Sequence, residues 1–335
     1  MATMEPGYLE AAREQLLDRR ERLGSALESH PTDQLSQLLL QVDEALERLD
    51  AGHFGQCTVC HESVESDRLL RDPLISVCLG CLSPAQQRAL EYDLELAARI
   101  QNELLPAPDF TVPGWQVAYH YKPAGVIGGD YFDVISDGRG GAYFLIADVA
   151  GKGVAAAMLT ANLRAVFRAL VPLGLGVEEV MGRANHLFCE SKLPMQYATV
   201  VFGHSSSSGK VQLVNAGHLP ALMVSCNGVT EFGSNDIPLG LFCDQRFTAT
   251  PAEFFPGDIL VLYTDGVTEA QNKSGVEYGI SKLHTLMAEG KFTSPEQMVQ
   301  ACRNCVQEFR GDADRTDDET LLAIQFLGAG QRMVV

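Results

Sequence analysis

Apolar positions along this chain follow more than one period. From about Gly7 to Asp50, Leu9, Leu16, Leu17 and Leu23, then Leu35, Leu38, Leu39, Val42, Leu46 and Leu49, recur at helical spacing, broken once by "SHPTD". This predicts a helical hairpin over 1–50, with Pro31 in the first turn of the second arm. Arms of roughly 20 residues would be about 30 Å long, enough to present a face to a partner. Over 51–83 the period fades and cysteines accumulate, which suits a small unit held by something other than a core. The helical period resumes in "SPAQQRALEYDLELAARIQNELLPAP", with Ser83 as N-cap, Pro84 in the first turn, and Pro106 and Pro108 as the stop. Within it Leu90, Leu94, Ala97 and Leu104 keep a spacing near 3.5, interrupted by Gln101, so 84–108 is a linker helix. It either packs on its own domain or forms a dimer stalk.

From Trp115 onward the pattern changes to short runs between glycine-rich turns: "WQVAYHY", "AYFLIADV", "YATVVFGH", "KVQLVNAG", "PALMVS", "DILVLYTDG" and "TLLAIQFL". Two helical segments interrupt them, "AAAMLTANLRAVFRALV" and "PEQMVQACRNCVQEFR". Strands grouped with few helices between them predict an α+β fold over 109–330, an antiparallel β-sandwich flanked by helices.

Composition narrows the function. With 335 residues, 46% hydrophobic and 20% charged, the chain suits a soluble globular protein of two or three units. A formal charge of −18 argues against nucleic acid, which needs clustered Lys and Arg. "MATMEPGYLEAAREQ" lacks the order of a signal peptide, and no apolar run approaches the ~20 residues that span a bilayer, so no membrane and a cytoplasmic location are expected. Outside one cluster of four, Cys189, Cys226, Cys243, Cys302 and Cys305 suggest no disulfide framework, hence a reducing compartment. Cys302-x2-Cys305 fits helical packing better than a second metal or redox pair.

The cluster itself is Cys57-x2-Cys60, seventeen residues, then Cys78-x2-Cys81. Two such pairs can grip one tetrahedral ion, so a single structural Zn²⁺ is expected, with no position left open for water. His61 is a weaker substitute ligand. Thiol oxidation expelling the zinc would make the unit a redox sensor. The stretch "ALERLDAGHFGQCTVCHESVESDRLLRDPLISVCLGCL", residues 45–82, resembles the zinc finger of the DksA/TraR family, whose helical hairpin enters a channel of RNA polymerase. The tip here reads "ESHPTDQLSQ" and lacks that family's Asp-x-x-Asp-x-Ala, which favours a borrowed sensory or docking module.

Carboxylates carry the remaining chemistry. "YFLIADVAGKG" lacks the Gly and Ser/Thr positions of a phosphate-binding P-loop, leaving Asp148 at a strand end unexplained. Asp265-Gly266 ends "DILVLYTDG", Asp130 lies in "GVIGGDYFDV", and Asp317 and Asp318 precede the last strand. One Asp before Gly is usually a turn residue; four in matching contexts point to convergent acids that need cations. Oxygen-only ligation selects Mg²⁺ or Mn²⁺, and two such ions can aim a water at phosphorus.

"PAGVIGGDYFDV", "IADVAGKGVAAAMLTANLRAVFRA", "VNAGHLPALMV", "LYTDGVTEAQN" and "DDETLLAIQF" resemble, in order, the PPM-type metal-dependent serine/threonine phosphatases of the SpoIIE/RsbU branch. The resemblance implies paired antiparallel sheets between helices. It also implies that Asp130 and Asp148 bridge two metals with the Val149 carbonyl as added ligand, and that Asp265 and Asp317 complete one ion each, with Asp318 the alternative to Asp317. Lys152 and Lys122 are weak candidates for substrate phosphate, and His218 in "NAGH" reads as a turn organiser. The implied substrate is a phosphorylated anti-sigma-factor antagonist. The linker helix would couple the N-terminal module to catalysis and mediate a homodimer. The rival is a DksA-like regulator of RNA polymerase whose phosphatase-like domain only docks.

Overall fold

A computed structural model describes residues 6–107, 110, 112–191 and 196–328; Pro108 lies outside them. The chain divides into two compact units, 1–93 and 94–335, the boundary falling inside the linker helix.

In the first unit, helix α1 (Pro6–Ser29) and α2 (Asp33–Asp50) form the hairpin. The second arm starts later than expected: Thr32 is its N-cap, accepting the Leu35 N–H at 3.3 Å, and Pro31 precedes the cap. A short α3 (Ser66–Arg71) follows. The unit's core is small, built of Leu16, Val42, Ala45, Phe54, Val64 and Leu69 around Cys57 and Cys78. Helix α4 (Pro84–Glu103) opens with a reciprocal cap, Ser83 Oγ accepting the Gln86 N–H while Gln86 Oε1 accepts the Ser83 N–H. No residue of α4 is buried, and Leu90, Tyr92, Leu96 and Ile100 are exposed.

The second unit is the predicted sandwich. Its strands are β1 (Trp115–Lys122), β2 (Asp130–Ser136), β3 (Ala142–Val149), β4 (Ala198–Ser205), β5 (Lys210–Ala216), β6 (Ala221–Ser225), β7 (Gly228–Phe232), β8 (Thr250–Glu253), β9 (Ile259–Tyr263) and β10 (Glu319–Phe326). Its helices after α4 are α5 (Gly153–Leu170), α6 (Val177–Ser191), α7 (Asp265–Thr268), α8 (Ile280–Glu289) and α9 (Pro295–Arg310). One sheet runs β1-β10-β9-β6-β7 and the other β2-β3-β4-β5-β8, every pair antiparallel. Phe132, Phe144, Ile146, Leu262 and Ile324 fill the layer between the sheets. The outer face of one sheet packs on α5 and α6 through Leu163, Phe167, Val180 and Phe188, and that of the other on α8 and α9 through Leu283, Met298 and Val306. Strands covered on both faces read as continuous apolar runs, as "ILVLY" does.

Two expectations are corrected. Cys189 of α6 and Cys243 form a disulfide, Cα atoms 5.8 Å apart across 54 residues. Asn185, one turn before Cys189, donates to the carbonyls of Phe242 and Cys243 and accepts the Gly240 N–H, pinning that loop beside the helix, a proximity invisible in the sequence. An apolar stretch long enough for a bilayer also exists, Gly153–Leu173. It is a core helix by packing, since Ala156, Leu163 and Phe167 are buried against the sheet. Cys302 lies buried in the layer beneath α9, with Cys305 packed beside it.

Candidate active site and cysteine cluster

The antiparallel register sets Asp130 opposite Asp148 on one face of β2 and β3. Like charges so placed repel, and Asp130 is buried while Asp148 is partly so. Burial and the Asp148 charge push the Asp130 carboxyl well above the usual range, opposed by the Thr320 and Thr264 hydroxyls. Thr264 Oγ donates to Asp130 Oδ2 at 2.7 Å, and Thr320 Oγ donates to the same oxygen. Burial, with Asp265, Asp317 and Asp318 nearby, raises Asp148 to about 7, against the pull of Lys152. Asp265, first residue of α7, is raised by burial and by Asp317. Four strand-end acids therefore act on one another electrostatically, as their sequence contexts suggest.

Asp317 and Asp318 are adjacent yet bonded differently. Asp318 Oδ1 accepts the Ala124 N–H at 2.7 Å and Oδ2 the Gly129 N–H at 2.6 Å, so both oxygens serve to hold the loop before β2. Asp317 Oδ2 instead meets the Lys152 ammonium at 2.7 Å. The glycines permit this crowding: a Cβ on Gly128 would lie 2.5 Å from Asp318 Oδ2, and one on Gly266 would lie 2.0 Å from the Asp318 carbonyl oxygen. The Val149 carbonyl oxygen lies 3.4 Å from where a Gly129 Cβ would sit, which puts it beside Asp130. A cleft of about 380 Å³ opens here, lined by Gly129, Lys152, Asp317 and Asp318, with Val126 and Val154 as apolar walls.

Lys122 ends β1 on the face opposite Tyr121, and its charge acts on His120. His218 is buried and neutral, its pKa lowered to about 4. Since a carbonyl can only accept, Nε2–H donates to Tyr263 O at 3.1 Å, leaving Nδ1 to accept from Thr199 Oγ at 2.8 Å. The ring thus ties β4, at the residue opposite Asp148, to the end of β9 before Asp265.

Several contributors carry no site role in the sequence reading, Gln101 among them, which stands there only as the polar interruption of the linker-helix seam. Thr264 and Thr320 sit beside the acids in "YTDG" and "DDET", the one available signal. Gln101 Nε2 donates to Gly128 O at 2.8 Å, while Gln101 Oε1 accepts the Gly128 N–H at 3.0 Å. Thr160 Oγ donates to Gly129 O at 2.8 Å. Asp133, fully buried, is gripped at both oxygens by Arg168 at 2.7 Å.

In the first unit, the four cysteine sulfurs lie within 4.8 Å of one another. Cys60 and Cys78 are 3.6 Å apart, near the separation of about 3.8 Å that sulfurs 2.3 Å from one tetrahedral ion would have. Backbone N–H groups of Cys60 and Cys78 hold the Cys57 thiol down to about 6, while the neighbouring sulfurs push Cys81 up to about 12. Several thiolates this close together would repel, and a bound cation would offset that repulsion. His61 is not among these ligand atoms. The donor set fits zinc.

The model of the family described as Stage II sporulation protein E (SpoIIE) matches residues 138–327, more than half of the chain. The chain belongs to the SpoIIE family. Two similar proteins are Protein IcfG of Synechocystis sp., 27% identical over 69% of this chain, and Phosphoserine phosphatase RsbU of Bacillus subtilis, 24% identical over 71% of it. The SpoIIE-family chain spans 41% of the length of IcfG and 71% of that of RsbU. The SiaA-PP2C domain of Pseudomonas aeruginosa superposes with a TM-score of 0.64 at 20% identity, covering 72% of this chain and 98% of that one, which shows a PP2C-like fold.

Proposed function

We propose that this SpoIIE-family chain is a metal-dependent phosphatase acting on phosphoserine or phosphothreonine of a regulatory protein, an anti-sigma-factor antagonist. The observation that carries the reading is the facing pair Asp130 and Asp148 joined electrostatically by Asp265 and Asp317, a cluster whose repulsion has no purpose in a merely structural sheet. Membership of the family and similarity to RsbU support the substrate class.

In this reading Asp130, Asp148, the Val149 carbonyl, Asp265 and Asp317 would together hold two Mn²⁺ or Mg²⁺ ions. Such ions supply charge that lets a water ionise near neutral pH and that offsets the phosphate. The chain's own part is preorganisation. Thr264 and Thr320 fix the rotamer of Asp130 and, by donating to it, favour its charged form. Asp318 commits both oxygens to backbone N–H groups and so aims the β2 loop, whereas Asp317 accepts the Asp318 N–H at Oδ1 and turns Oδ2 to the exposed Lys152 ammonium. Neutral His218 locks the approach of β9 to β4.

The hairpin and the zinc-bearing unit over 1–83 would regulate catalysis in the cytoplasm through α4, whose exposed Leu90, Leu96 and Ile100 suit a homodimer seam. Deleting 1–83 is expected to change activity or oligomeric state; an unchanged enzyme would sink the coupling. The substrate is tested by incubating the chain and Mn²⁺ with a phosphorylated anti-sigma-factor antagonist. Loss of its phosphate is expected, and retention alongside hydrolysis of small phosphoesters would reject that substrate.

A further inference from the structure

Lys152 is an odd residue for its position. It is the N-cap of α5, where Ser, Thr, Asp or Asn normally satisfy the first amides, and it makes no side-chain cap bond. Its charge also sits at the positive end of an 18-residue helix, where a cation is disfavoured. Nothing about the helix explains it. The backbone bends around it at Gly151 (φ +113°) and Gly153 (φ +71°), both conformations that side chains resist, so the turn is built to send one long side chain elsewhere.

That side chain reaches across 165 residues of sequence to the acids. Nζ donates to Asp317 Oδ2 at 2.7 Å and to the Thr316 carbonyl at 2.8 Å. It also acts on Asp148, Asp265 and Glu269. The contact occupies Asp317 Oδ2, an oxygen that takes no backbone N–H in the hydrogen bonds of the described residues; Asp317 Oδ1 accepts the Asp318 N–H at 2.9 Å, and both Asp318 oxygens accept backbone N–H groups.

We infer that Lys152 is a tethered counter-ion of the acid cluster and that divalent-ion binding at Asp317 is an exchange, ammonium out and metal in. The inference rests on the two-ion reading above. It makes Lys152 a positioning residue that lowers the cluster's appetite for metal and keeps the metal-free site folded. Because the ammonium is largely exposed, water screens it, and the effect on affinity is modest.

The test is calorimetric titration of Mn²⁺ into the zinc-loaded full chain, comparing wild type, Lys152→Met, Lys152→Arg and Asp148→Asn, with thermal unfolding of each before metal is added. Lys152→Met is expected to bind its weaker Mn²⁺ about five- to tenfold more tightly, with the gain shrinking in 0.5 M salt, and to unfold at lower temperature without metal. Lys152→Arg should stay near wild type. Equal or weaker binding by Lys152→Met, or the same gain in Lys152→Arg, overturns the exchange while loss of binding in Asp148→Asn keeps the metal reading. No Mn²⁺ uptake by wild type, or full uptake by Asp148→Asn, overturns both.

Discussion

The cysteine cluster and the acid cluster pose the same problem, several groups that repel when ionised, on opposite kinds of scaffold. Around Cys57 and Cys78 the buried layer is a handful of side chains, and the cysteines are themselves part of it. Around Asp130 and Asp148 stand three stacked apolar layers that exist without the acids. In the first place a metal substitutes for a core; in the second the core pays for the repulsion, and the metal is left free to do chemistry. The contrast predicts opposite responses to losing the ion.

The largest effect should follow from Cys57→Ser or from removal of zinc. Residues 51–83 and the packing of the hairpin on them are expected to unfold, since structural zinc is worth on the order of 10 kcal/mol. The sandwich should keep its unfolding temperature. Limited proteolysis cutting only within 51–83 would bear this out, and cleavage throughout 115–326 would break the contrast.

Next in size is Gly266→Ala. The added methyl would stand 2.0 Å from the Asp318 carbonyl oxygen, with no flexible side chain to yield, so a loss of about 2–3 kcal/mol is expected in thermal unfolding of the second unit. A change below 0.5 kcal/mol would mean the joint between Asp265 and Asp318 is soft.

Smaller, and opposite in sign, is Asp148→Asn in protein free of Mn²⁺ and Mg²⁺. Asp148 titrates at about 7 when folded, against 3.8 ordinarily. Between those values the folded state holds more protons than the unfolded, so stability falls as pH rises from about 4 to 7 and levels off above. Asn has no such loss. The variant should be more stable than wild type above pH 7 by about 1–3 kcal/mol, and the gap should close toward pH 4. His218 and His120, both lowered to about 4, lose stability as pH falls from 6.5, and they cancel in the difference. The smallest effect is expected from Thr264→Val, which removes one donor to Asp130 and should cost about 1 kcal/mol of transition-state stabilisation, roughly fivefold in kcat.

Much of this was legible from the residues. Seven strands emerged from their apolar runs: β9 and β10 because burial on both faces leaves little polar interruption, β5 because burial of one face leaves a partial alternation. β2 was missed because "DYFDVIS" carries Asp130 and Asp133, whose partners lie on β10 and α5, far along the chain. β7 and β8 are short and polar edge strands, and Pro251 in β8 reads as a break. The acids were visible through their glycine-rich contexts. Their tuning by Thr264, Thr320 and Lys152 was not, since a hydroxyl or an ammonium is ordinary until folding brings it to a carboxylate. The Cys189–Cys243 link was hidden for the same reason.

The most direct test of the account is hydrolysis of p-nitrophenyl phosphate by the full chain, with and without Mn²⁺, beside Asp148→Asn and Asp265→Asn. The account predicts turnover that requires the ion and falls at least 100-fold in both variants, each still folded. Turnover that ignores the ion, or survives both substitutions, would contradict it.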